Sequence, residues 1–187
     1  MNRRRALMAE NSASSLIPAD FQQVEYIAYV GHGNYLYSNI AVNSMTTVVS
    51  DIAKTSLPST NSGSIFPCIG TAGSTPSGTV WGTLENVSGS AFEASPAHTK
   101  TQTFSRTTIT STKTTASGTQ KIGLGYNKAA FSPGLSFYSL KIYNGTTLLF
   151  DGIPCYRKSD SKIGLYDLIG ESFYETSGTW SKGDDVA

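Results

Sequence analysis

The run LSFYSLKIYNGTTLLFDGIPCYRKSDSKIGLYDLIGESFYETSGTW, residues 135–180, decides how the rest of the chain is read. Tyr138, Leu140 and Ile142 alternate with Ser139, Lys141 and Tyr143, the period-2 pattern of a half-buried strand. Asn144-Gly145 follows, a dipeptide that tolerates positive φ at both centres of a type I′ hairpin turn. Residues 146–150 are expected to return as the partner strand. Ile153-Pro154-Cys155-Tyr156 is a short apolar run whose proline points to an edge or a strand start. Ser159-Asp160-Ser161 turns the chain, residues 163–166 make a further strand, and Gly170-Glu171-Ser172 turns it again into Phe173-Tyr174. The reading is a β-meander with closely spaced turns.

Composition agrees with a chain of many short strands. The 187 residues suffice for one domain with a full core. Hydrophobic residues make up 39% and charged residues only 14%, with Ser, Thr, Gly and Asn filling the difference. A net charge of +1 gives no global field toward nucleic acid or an acidic membrane, so neither is expected as a partner. No run reaches the roughly eighteen apolar residues of a transmembrane helix. Cys68 and Cys155 are too few for a disulfide framework; two buried free thiols or a single bridge both fit.

Residues 1–10, MNRRRALMAE, differ from the rest. Arg3-Arg4-Arg5 suits the start of a signal peptide, but residues 6–9 are too short for its apolar stretch, so no secretion signal is expected. Residues 1–17 therefore read as a basic docking arm and linker, with Arg3, Arg4, Arg5, Leu7 and Met8 as its contact residues, and residues 18–187 as one domain. Deletion of residues 1–15 is expected to abolish assembly into a larger particle while leaving the domain folded. Inside the domain, residues 21–29 contain a strand, 45–52 and 64–69 read as strands, and residues 79–84 bear Trp81. Residues 99–119 are threonine-rich, and Phe104 and Ile109 among the threonines argue for strands with a solvent-facing side. Ser117-Gly118 offers a hairpin turn into residues 121–126. No helix beyond a turn or two is expected. The fold class is all-β, a two-sheet antiparallel jelly-roll sandwich.

Four pieces of this sequence carry a resemblance: SFYSLKIYNG, IPCYRKSD, KIGLYDLIGESFY and TSGTWSKGDDV. They resemble the C-terminal part of a laminin-G-like domain of the concanavalin A-like lectin/glucanase superfamily, in the version found in phage virion proteins and in surface proteins of gut bacteria. FQQVEYIAYVGHGNYLYSNIAVN resembles the opening strand of that family, through Val24-Glu25-Tyr26-Ile27 and then Gly33, Tyr35 and Leu36. The resemblance runs over about residues 18–185 and is strongest at the two ends. It implies a concanavalin A-like jelly roll. It also implies a non-enzymatic virion protein of the capsid decoration, head-fibre or tail-fibre type, located on the virion. Such a protein docks on other virion proteins through its arm, forms a homo-oligomer and displays a lectin-like surface to host glycans. The alternative it leaves is a carbohydrate-binding module of a gut-bacterial surface protein.

The glucanase branch of that superfamily uses acidic residues spaced Glu-x-Asp-x-x-Glu along one strand, because glycoside hydrolysis needs two carboxylates at a set separation. This chain has no such run. Glu85 and Glu93 are isolated, Asp160 sits in a turn and Asp184-Asp185 lies at the tail. Cys155 with His32 or His98 is a conceivable dyad, yet the cysteine lies in an apolar stretch and both histidines in turn-rich segments. No catalytic residue is expected. Calcium is open: Asp151, Asp160 and Asp167 are candidate ligands, but each has an adequate role in turns or strand ends, so no metal site is assigned. Metal-free sugar binding wants an aromatic platform edged by amides and hydroxyls. Tyr35, Tyr37, Trp81 and Tyr126, with Asn34 and Asn127 beside them, are the candidate ligand-binding residues. Arg157-Lys158 reads as a solvated turn.

Overall fold

The computed structural model describes residues 16–29, 34–56, 68–70, 92–96, 102–115, 117–119, 121–126 and 134–187, with backbone only at 68–70, 125 and 126. Thirteen strands are present among them: β1 (Phe21–Gln23), β2 (Ile27–Tyr29), β3 (Asn34–Ala41), β4 (Thr47–Lys54), β5 (Cys68–Gly70), β6 (Phe92–Ser95), β7 (Phe104–Lys113), β8 (Lys121–Tyr126), β9 (Leu135–Asn144), β10 (Thr147–Arg157), β11 (Ile163–Asp167), β12 (Ser172–Glu175) and β13 (Ser181–Lys182). One 3₁₀ turn, Val42–Ser44, is the helical element among the described residues. The protein is all-β. A ten-stranded antiparallel sheet runs β12-β11-β10-β9-β4-β7-β6, with β1 on β10 and with β2 joining β9 to β13; a three-stranded sheet runs β3-β8-β5. Residues 1–15, where the basic arm was read, lie outside the described residues.

Period-2 alternation decides which side of each strand is buried. On β9, Leu140 and Ile142 are buried while Lys141 and Tyr143 are half-exposed. On β7, Ile109 and Ser111 are buried while Thr108 and Thr112 face solvent, so the threonine-rich run forms a strand with one wet side. The main core draws Leu36, Ile122 and Leu124 from the smaller sheet and Val48, Ile52, Phe92, Ile109, Phe137, Leu140, Ile142 and Phe150 from the larger. A second cluster, Ile17, Cys155 and Tyr166, packs with Phe21, Ile153, Leu168 and Phe173. Ile17 is therefore part of the folded body, although the sequence reading ended the arm there.

Three local expectations are corrected. The β9–β10 hairpin turns on Gly145 and Thr146, because Asn144 pairs with Thr147 and stays in the strand; of the pair only Gly145 has positive φ, at 59°. Pro154 lies inside β10, not at its start. It falls where that edge of β10 changes partner from β9, paired as far as Gly152, to Val24 and β1, so the ladder asks no N–H of it. Ser117-Gly118 is no hairpin: β7 belongs to the large sheet and β8 to the small one, and Gly118 hydrogen-bonds instead to Asn43 across the crossover.

Candidate functional site

Alternation along β3 turns Leu36 inward and leaves Tyr35 and Tyr37 half-buried on the other side. Their ring centroids are 5.3 Å apart, with planes inclined at 35°. Both stand opposite glycines of β8, Tyr35 in register with Gly125 and Tyr37 with Gly123. A Cβ on Gly123 would collide with the Leu36 carbonyl oxygen and come within 2.5 Å of Tyr37 Cδ1, so glycine is required there for the ring to lie across the neighbouring strand. These tyrosines form one wall of a groove of about 580 Å³, whose other wall is the run 173–178, with Lys162 beside it.

The second wall is held in place by a dense set of hydrogen bonds. Tyr35 and Ser177 exchange backbone hydrogen bonds of 3.1 and 2.7 Å, an isolated bridge that ties the small sheet to the end of β12. Trp180 Nε1–H donates to the Ser177 carbonyl at 2.9 Å while its ring packs edge-on to Tyr29. Thr176 Oγ1 donates to the Ile163 carbonyl at 2.9 Å. Asn34 is buried, and its Oδ1 accepts from the Thr179 N–H at 2.7 Å. The asparagine thus fixes the wall from behind and is turned away from the groove's contents. Glu175 is held by Lys162 at 3.0 Å and by Arg157 at 3.4 Å, and Arg157 also grips Asp160 at 2.6 Å. The guanidinium accordingly lowers the Asp160 carboxyl below its ordinary range.

Of the six candidate ligand residues, the structure brings Tyr35 and Tyr37 into the groove. Tyr126 takes its place on β8 in register with Asn34, with its side chain outside the described residues. Trp81 and Asn127 lie outside them altogether, as do His32, His98, Glu85 and the arm residues Arg3, Arg4, Arg5, Leu7 and Met8. The wall 173–178 and Lys162 were missed by the sequence reading. They lie about 140 residues from β3 along the chain, and nothing in local spacing announces a contact at that distance.

The remaining candidate chemistry is occupied structurally. Asp167 is buried; its Oδ1 accepts from the N–H groups of Asp151 and Ile169, and its Oδ2 from that of Gly170. Asp151 pairs with Lys141 at 2.9 Å. No group of three or more metal-ligating side chains occurs among the described residues. Cys155 is a free thiol, fully buried, and burial pushes it up to about 12. Lys158 Nζ donates to the Ala19 carbonyl at 2.8 Å, which holds the entering chain against the turn after β10. No helix among the described residues is long and apolar enough to cross a membrane.

A second aromatic group lies on the large sheet. β9 carries an extra residue, Tyr138, against β4, and β7 bulges at Ser105–Arg106 against the same strand. The two irregularities bring the Arg106 guanidinium 4.2 Å over the Tyr138 ring, with Tyr26 at 5.3 Å and Asp51 paired to the arginine at 2.6 Å. This group is closed on itself, each member being another's partner. The groove between β3 and β12 is the more open arrangement. The chain matches no model of a known protein family, no curated protein and no solved structure.

Proposed function

We propose that this protein is a non-enzymatic structural component of a phage virion, of the capsid decoration, head-fibre or tail-fibre type. In this reading its two sheets form a concanavalin A-like jelly roll, its N-terminal arm docks it on other virion proteins, and its groove attaches to glycans at a host surface. The observation that carries the recognition role is the groove itself. Two tyrosines are spread over the glycines of β8 and faced by a pinned wall of backbone and hydroxyl groups. Sugars combine apolar ring faces with hydroxyl edges, so aromatic surface beside fixed polar groups is the chemistry that selects them.

A hydrolase reading has less support at this site. Glu175 is the one carboxylate among the described lining residues, and it is already bound by two cations. Cleavage of a glycosidic bond by the usual mechanism needs a second.

The test is a broad array of bacterial glycans probed with the full chain and with Tyr35→Ala and Tyr37→Ala. Binding by the parent protein that falls at least about tenfold in either variant, with unchanged far-UV circular dichroism, supports the reading; an aromatic contact with a ligand is worth about 1 kcal/mol or more beyond area burial. Binding that is indifferent to both substitutions sinks the site. Silence of the parent protein across the array sinks the glycan role.

A further inference from the structure

The groove is also a place where a β-ladder stops early. β3 and β12 approach as antiparallel neighbours, but only Tyr35 and Ser177 pair, and no ladder follows beyond them. In an antiparallel ladder successive residues direct their N–H and C=O groups alternately to one side and the other. Thr176 N–H donates to Ile163 on β11, so Thr176 and Tyr174 turn their backbone groups toward β11. Phe173 and Glu175 then turn theirs the opposite way, off the edge of the large sheet and into the groove. The site therefore offers peptide-type donors and acceptors at strand spacing, beside the aromatic surface of Tyr35 and Tyr37.

Resting on the glycan reading above, we propose that the groove selects sugars bearing an N-acetylamino group. An acetamido substituent is a peptide bond in miniature: one N–H, one C=O and a methyl. The N–H and C=O of a trans amide point opposite ways, so against Glu175 its C=O accepts the strand-edge N–H while its own N–H points away, and its methyl packs on a tyrosine face. A sugar with a plain hydroxyl at that carbon lacks the projecting carbonyl and the methyl. Polar groups of the site that were paired in one complex go unpaired in the other, which is how such sites discriminate strongly. The ligand class is thus N-acetylhexosamine polymers, the chemistry of bacterial wall and surface glycans.

The probes are the β-1,4-linked tetramers of N-acetylglucosamine and of glucose, which differ only in that substituent, titrated into the full chain by calorimetry and by amide-resolved NMR. The expected result is tighter binding of the acetylated tetramer by about tenfold or more, for one hydrogen bond gained and one methyl buried. The largest amide shifts should fall at Phe173, Glu175 and Tyr35. Glu175→Pro removes the N–H at a strand edge, and Glu175→Ala removes the same side chain, so their ratio reads the N–H alone. The acetamido preference should collapse in the proline variant relative to the alanine one. Equal affinity for the two tetramers overturns the acetamido proposal and leaves the glycan reading standing. Binding of neither, with other glycans captured through Tyr35 and Tyr37, does the same. Shifts confined to residues away from β12 and β3 overturn both.

Discussion

Replacement of Asp167 tests the account of how the groove's second wall is anchored. Asp167 ends β11, is 1% exposed, and accepts three backbone hydrogen bonds of 2.9–3.1 Å, from Asp151, Ile169 and Gly170. Two of these close the turn that leads into β12. The carboxylate sits so close that a Cβ on Gly170 would lie 2.7 Å from Asp167 Oδ2. In Asp167→Ala the Asp151 N–H loses its acceptor in a buried setting, which costs about 2 kcal/mol. Ile169 and Gly170 are exposed and regain water, costing about 0.5–1 kcal/mol each. The expected loss is about 3 kcal/mol, a large share of the 5–15 kcal/mol of a typical domain. Asp167→Asn keeps an oxygen for Asp151 and Ile169 but sets an amide NH₂ against the Gly170 N–H, and should cost about half as much. In urea unfolding with an m-value near ~2 kcal/mol/M, these are midpoint shifts of about 1.5 M and about 0.7 M at constant m. A shift below about 0.3 M for the alanine variant refutes the anchoring role. An asparagine variant as damaged as the alanine one refutes the donor–acceptor assignment.

Two other perturbations follow from backbone and burial. Ser161 and Glu171 hold φ of 59° and 48°, a region costing side-chain-bearing residues about 1–2 kcal/mol; Ser161→Gly and Glu171→Gly should each stabilise by about 0.5 kcal/mol after glycine's greater chain entropy is subtracted, read as raised unfolding midpoints. Cys155 should resist iodoacetamide at pH 8 in the folded protein and react on unfolding, measured in a Cys68→Ser background. Because its folded value is raised, the stability it contributes is complete below the ordinary thiol value of 9.0 and is lost as pH climbs toward about 12. The stability difference from Cys155→Ala should shrink across that window; a flat difference rules the assignment out.

Much of this architecture was legible locally. The strands of residues 135–175 follow from alternation that no helix accommodates, and the threonine-rich run declared itself a one-side-wet strand through Phe104 and Ile109. Errors arose where a local signal had two meanings. Asn-Gly specifies a turn but not which residue leads it, and pairing of Asn144 with Thr147 moved the turn on by one. Ser117-Gly118 specifies a break but not whether the next strand returns to the same sheet. Pro154 weakens a strand only if its N–H is wanted, and a change of neighbour along β10 removed that demand.

The sequence alone determined that this chain is all-β and weakly charged, because a period of two is a property of the backbone itself; it named Tyr35 and Tyr37 as candidates, and β3 sets them on one strand face. Tertiary structure decided what that face meets. Pairing between Tyr35 and Ser177, separated by most of the chain, sets β12 beside the tyrosines and leaves the Phe173 and Glu175 backbone facing a groove. It also turned Asn34 from a candidate contact into a buried brace. Such pairings depend on the register of distant strands, which burial of the whole core fixes at once, so no short stretch of residues encodes them by itself.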